Sequence, residues 1–287
     1  MKDATGYRGT DAGTATVNAG GANIPVLGFG TYGMSGPLLR NVLVAALQQG
    51  FRHIDTAQIY QNEADVGIAI RASGIPRHAV FVTTKVWVGN YTRQRFMASV
   101  DESLRNLQSD YIDVLPVHWP RGGASIEEQI EGLNRAADSG KVRHIGVSNY
   151  NASMMRAAAA LSTRPLVTNQ VEYHPFLDQS AVLTEVASSG SCLMAYCGMA
   201  VGRVFETPLL KEIAAQQGRT VVQIVLRWLI QQPNVAALSR TENTGRIPQN
   251  TDVFDFALTD DEMALIGSLK IPGSRIVNPS HLAPAWD

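Results

Sequence analysis

Polar side chains follow the predicted strands of this chain one after another, each close to the point where its strand ends. They are Asp55, Lys85, His118, Ser148, Asn149, Gln170, Tyr196 and Arg240, with Tyr60 in the loop after Asp55. The set includes a carboxylate, an ammonium, an imidazole and a phenol, which suit proton transfer and the stabilisation of negative charge on a reacting oxygen. Each residue alone has an ordinary structural explanation, such as a helix cap or a core hydrogen bond. Their convergence favours one functional rim.

The elements that position this rim alternate along the chain. Eight short runs predict strands: VLGFG, FRHID, VFVTTK, IDVLPVHW, RHIGVSN, LVTNQVEY, SCLMAY and NVAALS. Apolar residues recur at helical spacing between them, as at 39–47, 96–107, 126–137 and 222–229. Capping-box pairs predict helix starts at Ser125 with Glu128, Thr220 with Gln223 and Thr259 with Glu262. Strand and helix repeats of this kind form parallel sheets, and eight units favour an α/β fold closed into a single-domain (β/α)8 barrel.

The barrel is predicted to span residues 14–287 as one domain. Residues 1–13 are rich in Gly, Thr and Asp without periodicity and are expected to form a mobile leader. The segment AGGANIP is predicted to form a hairpin across the bottom of the barrel. Because catalytic groups of such barrels lie at the carboxyl ends of the strands, the polar residues above are where chemistry is expected.

Composition excludes several classes of partner. The 287 residues include 24 basic and 25 acidic side chains, for a net charge of -1, so neither nucleic acid nor a membrane surface is an expected partner. No run has the length of a signal-peptide core or a membrane span, which predicts a cytoplasmic protein. Cys192 and Cys197 are expected to be reduced thiols.

One motif points to a different fold. Gly28, Gly30 and Gly33 in GFGTYG match the dinucleotide-binding fingerprint, and Asp55 follows at about the distance of a ribose-binding acid. That fingerprint needs its third glycine at a helix N-terminus, but the helix signal here begins only near Pro37. A Rossmann domain is therefore not predicted.

Several segments carry a family resemblance. GFGTY, GFRHIDTAQIYQNEADVG, VTTKVW, VHWP, GKVRHIGVSN, TNQVEYHP and NTDVFDF, in this order, resemble the aldo-keto reductase superfamily, and the likeness is strongest to short-loop bacterial members related to diketogluconate reductases. The resemblance implies a TIM barrel that binds a nicotinamide cofactor, usually NADPH, without a Rossmann domain. It also implies reversible reduction of aldehydes and ketones to alcohols by a catalytic tetrad: Asp55, Tyr60, Lys85 and His118.

The chemistry of the four residues agrees with these roles. Reduction of a carbonyl by hydride places negative charge on its oxygen, so the site needs a proton donor, for which Tyr60 is suited. We expect the Lys85 ammonium to lower the pKa of this phenol and Asp55 to pair with Lys85. His118 is expected to hydrogen-bond and orient the carbonyl.

The resemblance also implies the cofactor contacts. Ser148, Asn149 and Gln170 are expected to bind the nicotinamide carboxamide, and Tyr196 its ring. Residues expected at the adenosine phosphate are Arg240, Thr241, Arg246 and Asn250, and the arginines suit a 2′-phosphate. Ser239, where proline is usual, and the anionic Glu242 depart from the pattern, so NADH stays possible beside the expected NADPH.

The substrate is expected to be a small carbonyl or alcohol. Tyr32, Trp87 and Trp119 are predicted to wall an apolar pocket, and Trp286 in the tail to reach it. Short loops predict an open site that accepts varied aldehydes, activated ketones and dicarbonyls. The resemblance favours a monomer.

Two alternatives belong to other functional classes. His53, Asp55, Lys85, His118 and His174 also resemble the ligands of metal-dependent hydrolases of the amidohydrolase type, although the main interpretation includes no metal. A barrel that binds the cofactor only as a regulatory sensor is the other alternative.

Overall fold

Eight parallel strands close into a barrel in the computed structural model, which describes residue 11 and residues 13–287. Around the barrel, consecutive strands pair with one another, and the last strand pairs with the first. The barrel strands are β3 (Leu27–Gly30), β4 (His53–Asp55), β5 (Phe81–Thr83), β6 (Ile112–Val117), β7 (Val142–Ser148), β8 (Leu166–Glu172), β9 (Cys192–Tyr196) and β10 (Val235–Ser239). The predicted (β/α)8 barrel is confirmed. Residues 1–10 and 12 lie outside the described residues, so the mobile leader stays a prediction.

Helices follow the strands in turn and cover the outside of the barrel. They are α1 (Gly36–Gln48), α2 (Glu63–Ala72), α3 (Arg93–Leu107), α4 (Ile126–Asp138), α5 (Ala152–Leu161), α6 (Ser180–Ser189), α7 (Pro208–Gln217), α8 (Val221–Gln231), α9 (Ile247–Thr251) and α10 (Asp260–Gly267). Helix α7 is an addition between β9 and α8, and α9 and α10 follow the last strand. Within residue 11 and residues 13–287, no helix is long and apolar enough to cross a membrane.

Local sequence explains where several helices begin. The three predicted capping boxes are present at the starts of α4, α8 and α10, where each side chain bonds the backbone of the other residue. Such reciprocal bonds satisfy two of the amide groups that a helix start leaves without intrahelical partners. Apolar side chains on one face of α8, such as Ile224 and Trp228, then bury that helix against the sheet.

A hairpin precedes the barrel, as the sequence predicts. Its strands β1 (Thr16–Ala19) and β2 (Ala22–Pro25) pair antiparallel. The amide of Gly20 in the turn donates to the carbonyl of Gly190, which follows α6 and precedes β9. The hairpin therefore packs at the end of the barrel where the strands begin, opposite the predicted functional rim.

The glycines of GFGTYG serve barrel packing. A Cβ on Gly28 would lie 2.7 Å from both His53 Nδ1 and a methyl carbon of Leu238 on the neighbouring strands, so only glycine fits. Gly33 has a φ of 75°, which favours glycine because it lacks a Cβ. Helix α1 begins only at Gly36, after the loop. The expectation that this motif is not a Rossmann fingerprint is confirmed.

Candidate active site

The barrel brings the predicted rim residues to one end. Asp55, Ser148 and Tyr196 are the last residues of β4, β7 and β9, whereas Lys85 and His118 follow β5 and β6 within two residues. Because all eight strands are parallel, their carboxyl ends meet at the same mouth. The structure therefore places the four predicted tetrad residues at the ends of the adjacent strands β4, β5 and β6 and on the turn that follows β4.

A buried ion pair lies at the centre of this mouth. Lys85 Nζ donates to Asp55 Oδ1 at 2.7 Å and to the carbonyl oxygen of Thr56 at 2.8 Å. The side chains of Lys85 and Asp55 are 0% and 4% exposed. The other carboxylate oxygen, Asp55 Oδ2, accepts from Gln170 Nε2 at 2.7 Å. Each charge is thus matched by a charge and by hydrogen bonds, which is what a buried ion pair needs in order to be tolerated.

Tyr60 stands beside this pair on a short turn. A 3-10 helix over Gln58–Tyr60 follows β4 and carries the half-buried phenol. Lys85 Nζ lies 5.3 Å from the centre of the Tyr60 ring, and the His118 ring centre lies 5.8 Å from it. The Tyr60 hydroxyl has no hydrogen-bond partner among the residues that the structure describes, so it is available to an incoming group.

Burial sets the protonation of these groups. Burial and the Asp55 carboxylate raise the pKa of Tyr60 well above its ordinary range. The expectation that Lys85 lowers this pKa is wrong for the protein as described, since the ammonium faces the ring and is bonded to Asp55. Burial lowers the pKa of Lys85, against the raising effect of Asp55. Burial and Lys85 hold the pKa of His118 well below its ordinary value, so its imidazole is neutral at pH 7.

The expected nicotinamide contacts form one connected network. Tyr196 donates its hydroxyl proton to Asn149 Oδ1 at 2.7 Å, and Asn149 Nδ2 donates to the carbonyl oxygen of His118 at 3.0 Å. Ser148 Oγ donates to the carbonyl oxygen of Gln170 at 2.8 Å. Asn149 has a φ of 62°, a left-handed conformation that asparagine tolerates better than most residues. The network joins β7, β8 and β9 to the tetrad through the bond of Gln170 to Asp55.

The expected phosphate contacts follow β10: Arg240, Thr241 and Arg246 precede α9, Asn250 lies in α9, and only the two arginines are exposed. Arg240 donates through Nε to the carbonyl oxygen of Tyr32 and through Nη2 to Glu242 Oε1, both at 2.6 Å. Thr241 is buried and bonded to the backbone of Asn243. Asn250 and Arg246 differ from these two residues in their hydrogen-bond partners. Asn250 Nδ2 donates to Ser239 Oγ at 2.7 Å, so the serine at this position engages the asparagine. The exposed Arg246 side chain has no partner within the described part of the chain.

The predicted pocket residues differ in burial. Tyr32 is 68% exposed and packs edge-on against Tyr60, with ring centres 5.1 Å apart. The Trp87 ring packs edge-on against His118 at 5.4 Å. Trp119 is 5% exposed and forms a small separate core with Leu282 and Ala283 of the carboxyl-terminal tail. Trp87 and Trp286 pack against that core, which brings the tail next to a residue that contacts His118.

The side chains considered as metal ligands do not form a metal-binding cluster among the described residues. Within residue 11 and residues 13–287, no three His, Cys, Asp or Glu side chains form a group that could hold a metal ion. His53 Nε2 pairs with Thr83 Oγ1, and His174 Nε2 pairs with Glu172. The side-chain geometry therefore gives the amidohydrolase interpretation no support. Cys192 and Cys197 are free thiols, as expected.

Sequence reasoning missed two amide side chains that bracket Tyr60. Asn62 is 1% exposed and donates to the carbonyl oxygens of Thr31 and Met34, while its Oδ1 accepts from Thr56 Oγ1. Gln58 makes four side-chain hydrogen bonds on the other side of the turn. The available signal was the polar sequence QIYQNE, in which Tyr60 lies between amide residues.

Comparison with known proteins agrees with this geometry. A model of the Aldo/keto reductase family matches residues 26–271. "Methylglyoxal reductase DkgB" of Yersinia pestis is 35% identical over 268 residues, which cover 92% of this chain and 100% of that protein. An "Aldo-keto reductase" of Mycobacterium sp. (strain MCS) is 41% identical over 271 residues, covering 92% of this chain and 94% of that protein.

Solved structures show the same likeness in three dimensions. A crystal structure provisionally named 2,5-diketo-D-gluconic acid reductase B superposes with a TM-score of 0.94 at 54% identity, covering 95% of this chain and 97% of that one. A Bombyx mori aldo-keto reductase in complex with NADP superposes with a TM-score of 0.82 at 32% identity, covering 89% of this chain and 92% of that one. From the closed barrel, the mouth that gathers Asp55, Tyr60, Lys85 and His118, and these likenesses together, we conclude that the chain belongs to the aldo/keto reductase family and is an oxidoreductase.

Proposed function

We propose that the protein reduces small aldehydes and activated ketones to alcohols with NADPH, reversibly, and that Tyr60 is its proton donor. One observation carries the proposal above all. The fully buried Lys85–Asp55 ion pair lies beside a phenol whose hydroxyl has no partner among the described residues. A structural ion pair alone does not require an unbonded phenol and a neutral imidazole at the same mouth.

The residues around the mouth are suited to bind nicotinamide adenine dinucleotide phosphate. Tyr196 presents a half-exposed ring whose orientation is set by its bond to Asn149, which suits stacking against a planar ring. Arg246 is an exposed guanidinium without a partner within the described residues, and a guanidinium binds phosphate oxygens in pairs. Ser148, Asn149 and Gln170 would hold the carboxamide, whereas Arg240, Thr241 and Asn250 would shape the phosphate end. A bound reduced nicotinamide supplies the hydride.

The side chains of this protein then handle the oxygen. As the carbonyl carbon gains hydride and its oxygen gains negative charge, Tyr60 donates its hydroxyl proton to that oxygen. A raised pKa keeps Tyr60 protonated at neutral pH, and the alkoxide oxygen that hydride transfer creates is basic enough to take its proton. The Lys85 ammonium, held by Asp55, keeps a positive charge beside the mouth while negative charge develops on the substrate oxygen. Neutral His118 donates one hydrogen bond that orients the carbonyl.

The walls of the mouth suit a small substrate. Tyr32 and Trp87 flank Tyr60 and His118, and the tail residue Trp286 packs nearby with Trp119. Two relatives are named for dicarbonyl compounds, methylglyoxal in one and a diketogluconic acid in the other. We therefore propose small dicarbonyls as the preferred class, with simple aldehydes also accepted. The monomeric state and the cytoplasmic location stay predictions from the sequence.

The direct test mixes the pure protein with NADPH and a panel of carbonyls and follows nicotinamide oxidation. Tyr60→Phe is expected to bind NADPH as tightly as the wild type and to lose about 10²- to 10⁴-fold in kcat, since a positioned proton donor contributes that much. The phenyl ring retains the packing against Tyr32 and His118, so binding is not disturbed.

Tyr111→Phe is the matched control for this test. Tyr111 precedes β6 at the opposite end of the barrel, and its buried hydroxyl has no hydrogen-bond partner within the described residues. Removing that hydroxyl is expected to leave kcat unchanged. Turnover by Tyr60→Phe at the wild-type rate would show that another group donates the proton.

A further inference from the structure

The side chain of Gln58 uses its whole hydrogen-bonding capacity. Its Nε2 donates to the carbonyl oxygen of Ser99 and to Ser103 Oγ, both at 3.2 Å, on helix α3. Its Oε1 accepts from the backbone amide of Trp87 and from Asn90 Nδ2, both at 2.9 Å. A glutamine amide offers two N–H donors and one oxygen with two lone pairs. These four bonds therefore satisfy it completely, and neither a glutamate nor a methionine can make all of them.

These bonds join two parts of the mouth that face the same imidazole. The rings of Tyr60 and Trp87 each pack edge-on against His118, with centres 5.8 and 5.4 Å away. Gln58 lies in the 3-10 turn that carries Tyr60, and its Oε1 holds the backbone of Trp87. Its other end is fixed to α3. The amide thus ties the proton donor and the pocket wall to one rigid helix.

Polar bonds rather than apolar packing hold this turn. Ile59, the residue between Gln58 and Tyr60, is 42% exposed, so its packing holds the turn only in part. Gln61, which ends the turn, has a left-handed φ of 54°. The backbone amide of Gln58 donates to the carbonyl oxygen of Lys85 at 3.2 Å, so the turn is also bonded to the strand end that carries the ammonium. Loss of the Gln58 side-chain bonds would leave the Tyr60 turn loosely held on its α3 side.

We propose that Gln58 is a positioning residue for the reaction: it sets where the Tyr60 hydroxyl stands relative to His118 and Trp87. The inference rests on the proposed role of Tyr60 as proton donor. Gln58 itself touches neither substrate nor cofactor in this arrangement, and it acts through the turn and through the Trp87 segment. Displacements of about 1 Å at a reacting group can cost about a hundredfold in rate, so a tie of this kind has a measurable effect.

The first experiment replaces the amide with an apolar chain of similar length. Gln58→Met is expected to lower kcat about tenfold to a hundredfold while the Kd of NADPH stays within about twofold of the wild type. With cofactor deuterated at the transferred position, the isotope effect on kcat is expected to rise, because hydride transfer becomes slower than product release. Gln94→Met is the matched control, since Gln94 is exposed on the same helix α3. It is expected to match the wild type in all three measurements.

A second measurement does not depend on turnover. The Trp87 backbone amide donates to Gln58 Oε1. The rate at which this amide exchanges its hydrogen in the enzyme without cofactor therefore measures whether that hydrogen bond is kept. Gln58→Met is expected to speed exchange in the segment around Trp87, whereas Gln94→Met is not. Gln58→Glu keeps both acceptor bonds of Oε1 and loses the donors to α3. Its second carboxylate oxygen faces the carbonyl oxygen of Ser99 with no proton between them, so its kcat is expected to fall at least as far as that of Gln58→Met, while exchange at Trp87 stays closer to the wild type.

The outcomes separate this inference from the proposed function. An active wild type, with Gln58→Met equal to it in kcat, isotope effect and exchange, overturns the positioning role alone. A wild type that oxidises no NADPH with any carbonyl overturns the proposed function and the positioning role together. If Gln58→Met does not fold, Gln58→Glu and Asn90→Ala carry the test, because Asn90→Ala removes one of the two bonds to Oε1. Wild-type kcat in both variants would then overturn the inference.

Discussion

Two ion pairs at the same mouth differ in their surroundings and not in their length. Lys85 and Asp55 lie 2.7 Å apart with side chains 0% and 4% exposed, whereas Arg240 and Glu242 lie 2.6 Å apart with side chains 41% and 52% exposed. Water screens the second pair, so it contributes little and can be exchanged for another partner. The first pair is strongly coupled, since neither charge tolerates the loss of the other. The surroundings of Lys85 and Asp55 are therefore fixed, whereas the exposed Arg240 side chain can exchange Glu242 for another partner.

The largest expected effect comes from breaking the buried pair. Lys85→Met leaves Asp55 without its cation, and we expect kcat to fall by more than about a thousandfold and the free energy of unfolding to fall by about 3 kcal/mol or more. Steady-state kinetics and urea unfolding measure the two losses. The double variant Lys85→Met, Asp55→Leu is expected to recover stability but not activity. A single variant as stable as the wild type would contradict the coupling of the buried pair.

A buried histidine on the strand that carries Asp55 is expected to make the stability of the protein depend on pH. His53 precedes Asp55 by two residues on β4, and burial lowers its pKa to about 4. The unfolded chain takes up this proton near pH 6.5 and the folded chain does not, so stability present above pH 6.5 is lost as the pH falls toward 4. Over that window the His53 contribution amounts to about 3 kcal/mol.

This contribution is measured as the difference between the wild type and His53→Gln in urea unfolding at pH 6.5 and pH 4. Other carboxylates and histidines titrate in both proteins, so the difference isolates His53. The same substitution at the exposed His281 is the control, because it removes a histidine without removing a buried ring. An equal pH dependence in the wild type and His53→Gln would show that the ring is hydrated when folded.

The smallest effects are expected at the exposed residues that follow β10. Arg246→Met should raise the Kd of NADPH by about tenfold or more, since a charged hydrogen bond contributes about 1.5 to 3 kcal/mol, and should leave the Kd of NADH unchanged. Glu242→Gln frees Arg240 from its partner and should tighten NADPH binding by about two- to fivefold. Fluorescence titrations at low and high salt measure both, and salt should weaken the preference for NADPH. Equal losses for NADH and NADPH in Arg246→Met would contradict a 2′-phosphate site.

Much of the fold could be read from local pattern. The eight strands and the three capping boxes depend on residue type and spacing within a few positions, and all of them are present. The residues of the rim could be identified because strand ends in a parallel barrel converge, whereas the family resemblance singled out the tetrad among them. Helix α7 was not predicted, because its apolar spacing is weaker than that of α8 and the preceding 3-10 segment interrupts the strand-to-helix pattern. Gln58 was missed because its four partners lie far from it in sequence.

The sequence by itself determined the barrel, the set of chemical groups at its mouth and the family to which the chain belongs. These depend on periodicity, caps and short motifs that neighbouring residues specify. Only the tertiary structure decided how the groups act on one another. It showed that burial and Asp55 raise the pKa of Tyr60, that Asn250 bonds Ser239, and that Glu242 holds Arg240. Such effects depend on distance and desolvation between atoms that folding brings together, and no local pattern records them.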